Sequence, residues 1–567
     1  MKTEKTEETE ETEQIEAARP ATATGPEPGR RLSPLAKGVM ISSVAGILVL
    51  GGVLPVLPSS PERAVPPAPG SAGRAMDAAA AGAAASLPDL TALIGERESY
   101  LRAHPRDDRS WAVLGAAYVE RGLRTADSAY YPKAERALRT SLKTRPAGNV
   151  DALNGLAALA NARHDYRAAK KWGEASLKLA PKRWTTYPLL IDAYGQLGDY
   201  KAVGRALEKL TKLRSGAAVM AREGQVYRDR GWGDDARASL TDAAALASTP
   251  SEQAACLHLM GELTWERGEP AEALNYFTQA LAADPGHDAS LAGKGRALTS
   301  LGRRTEALQA YRSVLTTHRR PEYALELGEL YESIGFGDAA KAQYDLLRER
   351  VDADGANGVD DSLLLGRFEA DHGDPRAAVT RLRAEWERAP SVQSADALGW
   401  ALHKAGDDKE ALKYAKRATD PEHGGTVRSA LIAYHRGEVE RELELDGPAR
   451  RHIGEALRIN PAFSPLLAPL AKEALAALGA PSAGGPEKVR ETAADAAQAP
   501  GPHAATRSPA PERPESRRPA SESPATRPAA PVAPPKSAGP PATPPAAPAP
   551  AEPSSRQAPQ APKSPGA

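Results

Sequence analysis

ACLHLMGELTWERGEPAEALNYFTQALAADP, residues Ala255–Pro285, decides how this chain folds. Two apolar runs at helical spacing flank the short break Gly268, Glu269, Pro270. Leu257, Met260 and Gly261 share one face of the first run, and Ala273, Phe277 and Ala280 share one face of the second. The small residues Gly261 and Ala280 let two antiparallel helices approach closely, while Leu257, Met260 and Phe277 fill the seam between them. Gly268 can take the left-handed conformation of a C-terminal cap, and Pro270 suits the first turn of the helix that follows. Pro285 ends that helix, because it has no amide hydrogen to continue the ladder.

The unit recurs. Gly261, Gly295 and Gly328 follow one another at about 34 residues, as do Gly268, Gly302 and Gly335. The frame can be followed through nine or ten units, some of them degenerate. They start near Asp108, Val150, Trp184, Ala217, Ala254, Asp288 and Pro321; later units hold Gly366 with Gly373 and Gly399 with Gly406, and a last one is stretched from Thr426 through Gly437 to Pro461. Leu90–Pro105 reads as the second helix of a repeat that lacks its first, capping one end, and Pro465–Leu478 as a closing helix. Period, small residues and terminal prolines closely resemble the tetratricopeptide repeat, over about two thirds of the chain. The resemblance implies an all-α superhelical solenoid of helix-turn-helix repeats, whose first helices line a concave face used to hold peptides.

Outside the repeats the chain cannot build a core, because nearly all its aromatic and branched aliphatic residues lie between Leu87 and Leu478. Residues 1–37 read as a disordered acidic tail and 480–567 as a disordered Pro/Ala-rich tail, a spacer or envelope-spanning arm; its PxxP strings also allow a domain-ligand reading. Within residues 38–57, the apolar run Val39–Leu57 is about 19 residues long, enough to cross a bilayer core as one helix. Arg30, Arg31 and Lys37 precede it, so a signal-anchor with a cytoplasmic N-terminus and an external solenoid is expected; a cleaved signal and a secreted protein are the alternative. Residues 58–86 read as a flexible linker and 87–479 as the solenoid with its caps. The heavy use of Ala, Arg, Gly and Pro resembles membrane-anchored repeat proteins of high-GC actinobacteria.

Charge and motif content exclude several functions. Lys plus Arg and Asp plus Glu number 73 each and are interleaved, so no basic stripe invites nucleic acid. Cys256 is the one cysteine and reads as a small core residue. HExxH, GxxxxGK[ST] and GxSxG are absent from the sequence, and GKGRAL at Gly293–Leu298 falls inside a repeat helix with no strand before it. The histidines are scattered singly and read as surface or cap residues. No catalysis, cofactor, metal or small-molecule substrate is expected.

Function is therefore sought on the concave face. The repeat frame projects Asn154, Asn161, Asp192, Gln196, Gln225, Arg228, Glu262, Trp265, Arg296, Glu329, Glu332, Arg367, Trp400 and His403 onto it. Trp265 and Trp400 stand at groove-facing places and read as interface anchors, or else as side chains laid against the adjacent repeat. The Lys and Asn clamp with which some chaperone-binding relatives hold a C-terminal carboxylate is not evident, since neither Asn154 nor Asn161 has lysines at the matching places of the following units. The expected function is a membrane-anchored scaffold for other proteins or peptides, or else an accessory subunit of an envelope enzyme or assembly system.

Overall fold

A computed structural model of the chain describes residues 69–480 except residue 425. Among these residues there are twenty-three α-helices and no strand. The first twenty-two pair into eleven antiparallel hairpins. These are α1 (Ser71–Ala81) with α2 (Leu87–Ala103), α3 (Asp108–Thr125) with α4 (Tyr130–Thr144), α5 (Val150–Ala162) with α6 (Tyr166–Leu179), and α7 (Thr186–Gln196) with α8 (Tyr200–Leu213). Next come α9 (Ala217–Asp229) with α10 (Gly233–Leu246), α11 (Pro250–Glu266) with α12 (Pro270–Ala283), and α13 (Asp288–Ser300) with α14 (Arg304–Thr317). The last four are α15 (Pro321–Ser333) with α16 (Gly337–Ala356), α17 (Ser362–His372) with α18 (Pro375–Arg388), α19 (Val392–Lys404) with α20 (Asp408–Ala418), and α21 (Ala430–Glu442) with α22 (Asp446–Ile459). Helix α23 (Leu467–Leu478) closes the stack against α22.

The stretch expected to be a flexible linker and a half-repeat is corrected here. Residues 71–81 form α1, so the first hairpin has both its helices and the solenoid begins before residue 87. Its alanines make it a good helix former, and packing on α2 holds it: Ala75 is 1% exposed, and Arg74 pairs with Asp89 at 2.6 Å. The repeats thus number eleven hairpins rather than nine or ten, followed by the expected closing helix. The apolar segment within 38–57, the tail 1–37 and the tail beyond residue 480 lie outside the described residues; among the described residues, no helix is long and apolar enough to cross a membrane.

Each hairpin is cut to shape at a few places. Asp165, Asp199 and Asp407 cap the second helices α6, α8 and α20 by accepting from a backbone N–H in the first turn. Between hairpins the seam is a large side chain set in a glycine notch. Phe277 of α12 is fully buried between Gly261 of its own hairpin and Gly293 of the next, where a Cβ would come within 2.6 Å and 2.5 Å of its ring. Leu138 of α4 sits in the same way between Gly115 and Gly155. Cys256 is buried, and GKGRAL is interior to α13, both as the sequence indicates.

The stack winds back onto itself. Turns that join the two helices of early hairpins touch the loops between later ones: Arg163 Nε donates to Asn357 O at 3.1 Å, Asp360 N to Arg163 O at 3.1 Å, and Val392 N to Tyr200 Oη at 2.9 Å. Asn357 Nδ2 donates to Ser128 Oγ at 3.0 Å, from the end of the long helix α16, and Asn460 Nδ2 donates to Trp265 O at 2.8 Å. Tyr200 and Val392 are 192 residues apart and Ser128 and Asn357 are 229 apart, about six repeats of roughly 34 residues per superhelical turn. Two glycines separate the local from the inter-turn demand. Gly231 and Gly302 both have φ of 72° at the hairpin turn, but a Cβ on Gly231 would strike Thr426 O, whereas one on Gly302 meets nothing within 4 Å.

Gly302→Ala should therefore destabilise the solenoid by about 1–2 kcal/mol, the cost of the left-handed conformation alone. Gly231→Ala adds the collision between turns, and its thermal midpoint, followed by helical circular dichroism, should fall at least twice as far. Equal shifts would mean that the turns do not touch in solution.

Candidate functional site

The first helices of the later hairpins face a common interior. A cavity of about 310 Å³ is lined from α11, α13, α15, α17, α19 and α21, with Phe463, Ser464 and Pro465 closing it before α23. Of the residues projected onto the concave face, Trp265, Arg296, Glu329, Arg367 and Trp400 meet in this cavity.

Arg296 is held on both sides. Its Nη1 lies 2.7 Å from Glu262 and its Nη2 2.7 Å from Glu326, whose other oxygen accepts from Tyr311 Oη at 2.7 Å. Burial opposes its charge, but the two carboxylates outweigh that and hold the guanidinium well above its ordinary range. The same guanidinium lies 5.2 Å from the centre of the Trp265 ring, a cation–π contact. Trp265 is half-buried and donates from Nε1 to Ser300 Oγ at 2.9 Å.

Trp400 corrects the expectation of an exposed anchor. It is 5% exposed, stacks on His435 at 4.1 Å between ring centres, and donates from Nε1 to Asp371 at 2.9 Å. The alternative of a Trp laid against the adjacent repeat holds for this residue, because the next first helix, α21, offers it an aromatic face. His435 is also buried; its Nδ1 lies 3.0 Å from Asp396, and its Nε2 has no hydrogen-bond partner.

His372 lies between two carboxylates, 3.7 Å from Glu329 and 3.2 Å from Glu332, and stacks on Tyr344 at 4.6 Å. Burial works against protonation of His372, but Glu329 and Glu332 outweigh it and raise its pKa. Burial likewise raises the pKa of Glu329. Arg367 has little support, a hydrogen bond to Gln393 O at 3.4 Å, and burial draws its pKa down despite the charge of Asp396.

The other projected residues go elsewhere. Asn154 accepts from Thr186 at 2.7 Å and ties two hairpins. Asn161 donates to Leu189 O at 2.9 Å and lines a second cavity, also of about 310 Å³, with Asp192, which pairs with Arg222 at 2.5 Å. Arg228 lines a third, of about 550 Å³, 3.7 Å from Glu266. Gln196 and Gln225 are half-buried. His403 pairs with Asp408 at 2.5 Å across the hairpin turn and does not line the cavity.

The reading of the histidines as surface or cap residues is corrected for His258, His372 and His435. The first is pushed down to about 4 by burial, and the other two have side chains 8% exposed. Asp371 and Asp396 were also missed, although each stands four residues from a projected residue, Arg367 and Trp400, and so shares its helix face. Among the described residues, no group of three or more His, Cys, Asp or Glu is placed to hold a metal ion.

Residues 264–330 match the family model of the tetratricopeptide repeat. Over 110 residues the chain is 39% identical to the tetratricopeptide repeat and J domain-containing co-chaperone DNJ1 of Fusarium oxysporum f. sp. lycopersici, covering 18% of this chain and 21% of that protein. The chain thus spans about a fifth of that relative. Two solved structures are similar: a thermophilic tetratricopeptide repeat protein of Thermus thermophilus, 23% identical over 33% of this chain and 99% of that one with a TM-score of 0.29, and PilF of Pseudomonas aeruginosa, 19% identical over 37% and 94% with a TM-score of 0.29.

Trp400→Ala should empty a filled site and destabilise the later hairpins by about 3–5 kcal/mol. Trp265→Ala, at a half-buried ring, should cost clearly less in the same urea titration.

Proposed function

We propose that this tetratricopeptide repeat protein is a non-catalytic scaffold that holds a segment of a partner polypeptide in the interior of its solenoid. The observation that carries this reading is the convergence of Trp265, Arg296, Glu329 and Arg367, from four successive first helices, on one cavity of about 310 Å³. A half-buried Trp beside charged groups is a typical interface anchor. The partial likeness to a co-chaperone supports a polypeptide ligand, while the missing Lys and Asn clamp speaks against a terminal carboxylate as its handle.

The test is a photo-crosslinking amino acid placed at Trp265 and, as control, at Lys209, which is exposed on the second helix α8. Polypeptide adducts should form at the first position in living cells and be scarce at the second. Equal yields at both would remove the interior as the binding surface.

The scaffold is further proposed to be tethered by the apolar segment Val39–Leu57, with the basic residues before it keeping the N-terminus in the cytoplasm and the solenoid outside. With tags at Met1 and Ala567, protease added to intact cells should remove only the C-terminal tag. Protection of both tags until the cells are permeabilised would place the solenoid in the cytoplasm.

A further inference from the structure

We infer that the interior cavity selects a partner segment by a cationic side chain, arginine above all; this rests on the scaffold reading and gives its ligand a chemistry. The charges that line the cavity do not balance. Glu322, Glu326, Glu329, Asp371 and Asp396 face two arginines, Arg296 and Arg367. Arg296 is already spent on Glu262 and Glu326, at 2.7 Å from each. Asp371 is paired with Lys404 at 3.6 Å and Glu329 with the His372 ring at 3.7 Å, so Arg367 is left against Glu322 and Asp396.

A second observation is independent of that count. His435 is 6% exposed and lines the cavity; its Nδ1 stands 3.0 Å from the Asp396 carboxylate, which can only accept, so in the neutral ring Nδ1 donates and Nε2 is the acceptor. That Nε2 has no partner among the protein atoms. A buried acceptor without a donor is costly, and a ligand that brings N–H groups relieves it. Carboxylates and an imidazole acceptor together call for a donor-rich cation.

The aromatic walls favour arginine over lysine. Trp400 and His435 are buried against each other, but the half-buried Trp265 ring gives the same space an aromatic surface. Planar guanidinium stacks on such surfaces and forms forked bonds to carboxylates, which an ammonium group does not. The protein uses the pairing itself: Arg296 lies over Trp265 at 5.2 Å and Arg348 over Phe368 at 4.7 Å. An anionic segment would find one poorly supported guanidinium and several carboxylates.

The experiment measures fluorescence anisotropy of the purified full chain with four fluorescein-labelled Gly/Ser octapeptides, carrying one central Arg, Lys, citrulline or Glu. The Arg peptide should bind at least tenfold tighter than its uncharged isostere citrulline, with Lys between them. Glu329→Gln should shrink the Arg-to-citrulline ratio at least fivefold, and Arg367→Gln should enlarge it; circular dichroism checks that both variants are folded. Equal binding of Arg and citrulline peptides, or preference for Glu, overturns the inference and leaves the scaffold reading standing. Binding of none of the four, together with equal crosslinking at residues 265 and 209, overturns both.

Discussion

A large side chain on one helix set into a glycine notch on two others is the contact on which the rest of this solenoid depends. Phe277 fills the space beside Gly261 and Gly293, and Leu138 that beside Gly115 and Gly155. The notch joins a hairpin internally and to its successor at once, so one side chain sets both the depth of packing and the step between repeats. A methyl group added at such a glycine would push apart two seams, not one. Since every hairpin is held mainly by its neighbours, the stability of the array is close to a sum of these local contacts.

The repeated step has a consequence that no single repeat contains. A constant rotation per hairpin brings the chain round in about six repeats of roughly 34 residues, and the turns of early hairpins then meet the loops of later ones. Arg163, Tyr200 and Trp265 make hydrogen bonds there with Asn357, Val392 and Asn460. Contacts of this kind link residues far apart in sequence, so they close slowly and cost chain entropy, but they also enclose the interior. Charged side chains that would be an ordinary solvated helix face in an open array are instead crowded together away from bulk water. This is why Glu329 and Arg367 shift toward their neutral forms, while Arg296, chelated by two carboxylates, does not.

Much of the hairpin frame could be read from residue spacing, since Gly268, Pro270 and Pro285 act through the local backbone. Helix α1 could not, because it consists largely of alanine and glycine and shows no apolar stripe; its place is set by the burial of Ala75 against α2. Spacing put Trp265, Arg296, Glu329, Arg367 and Trp400 on the concave side, and they do line one cavity. It did not tell an open Trp from a covered one: Trp265 keeps an exposed edge, while Trp400 is covered by His435 from the next first helix.

What the sequence determined by itself is most of what acts through the local backbone and the repeat: helix type, the hairpin turns, the small residues at the seams and the period. Those depend on residues fewer than about 40 positions apart, so their signals survive in a linear reading. Only the tertiary structure decided which turns touch after a full superhelical revolution, which polar residues end in salt bridges between hairpins, and which face the cavity with an unpartnered atom. These are set by the sum of many small rotations, and no local pattern records a sum.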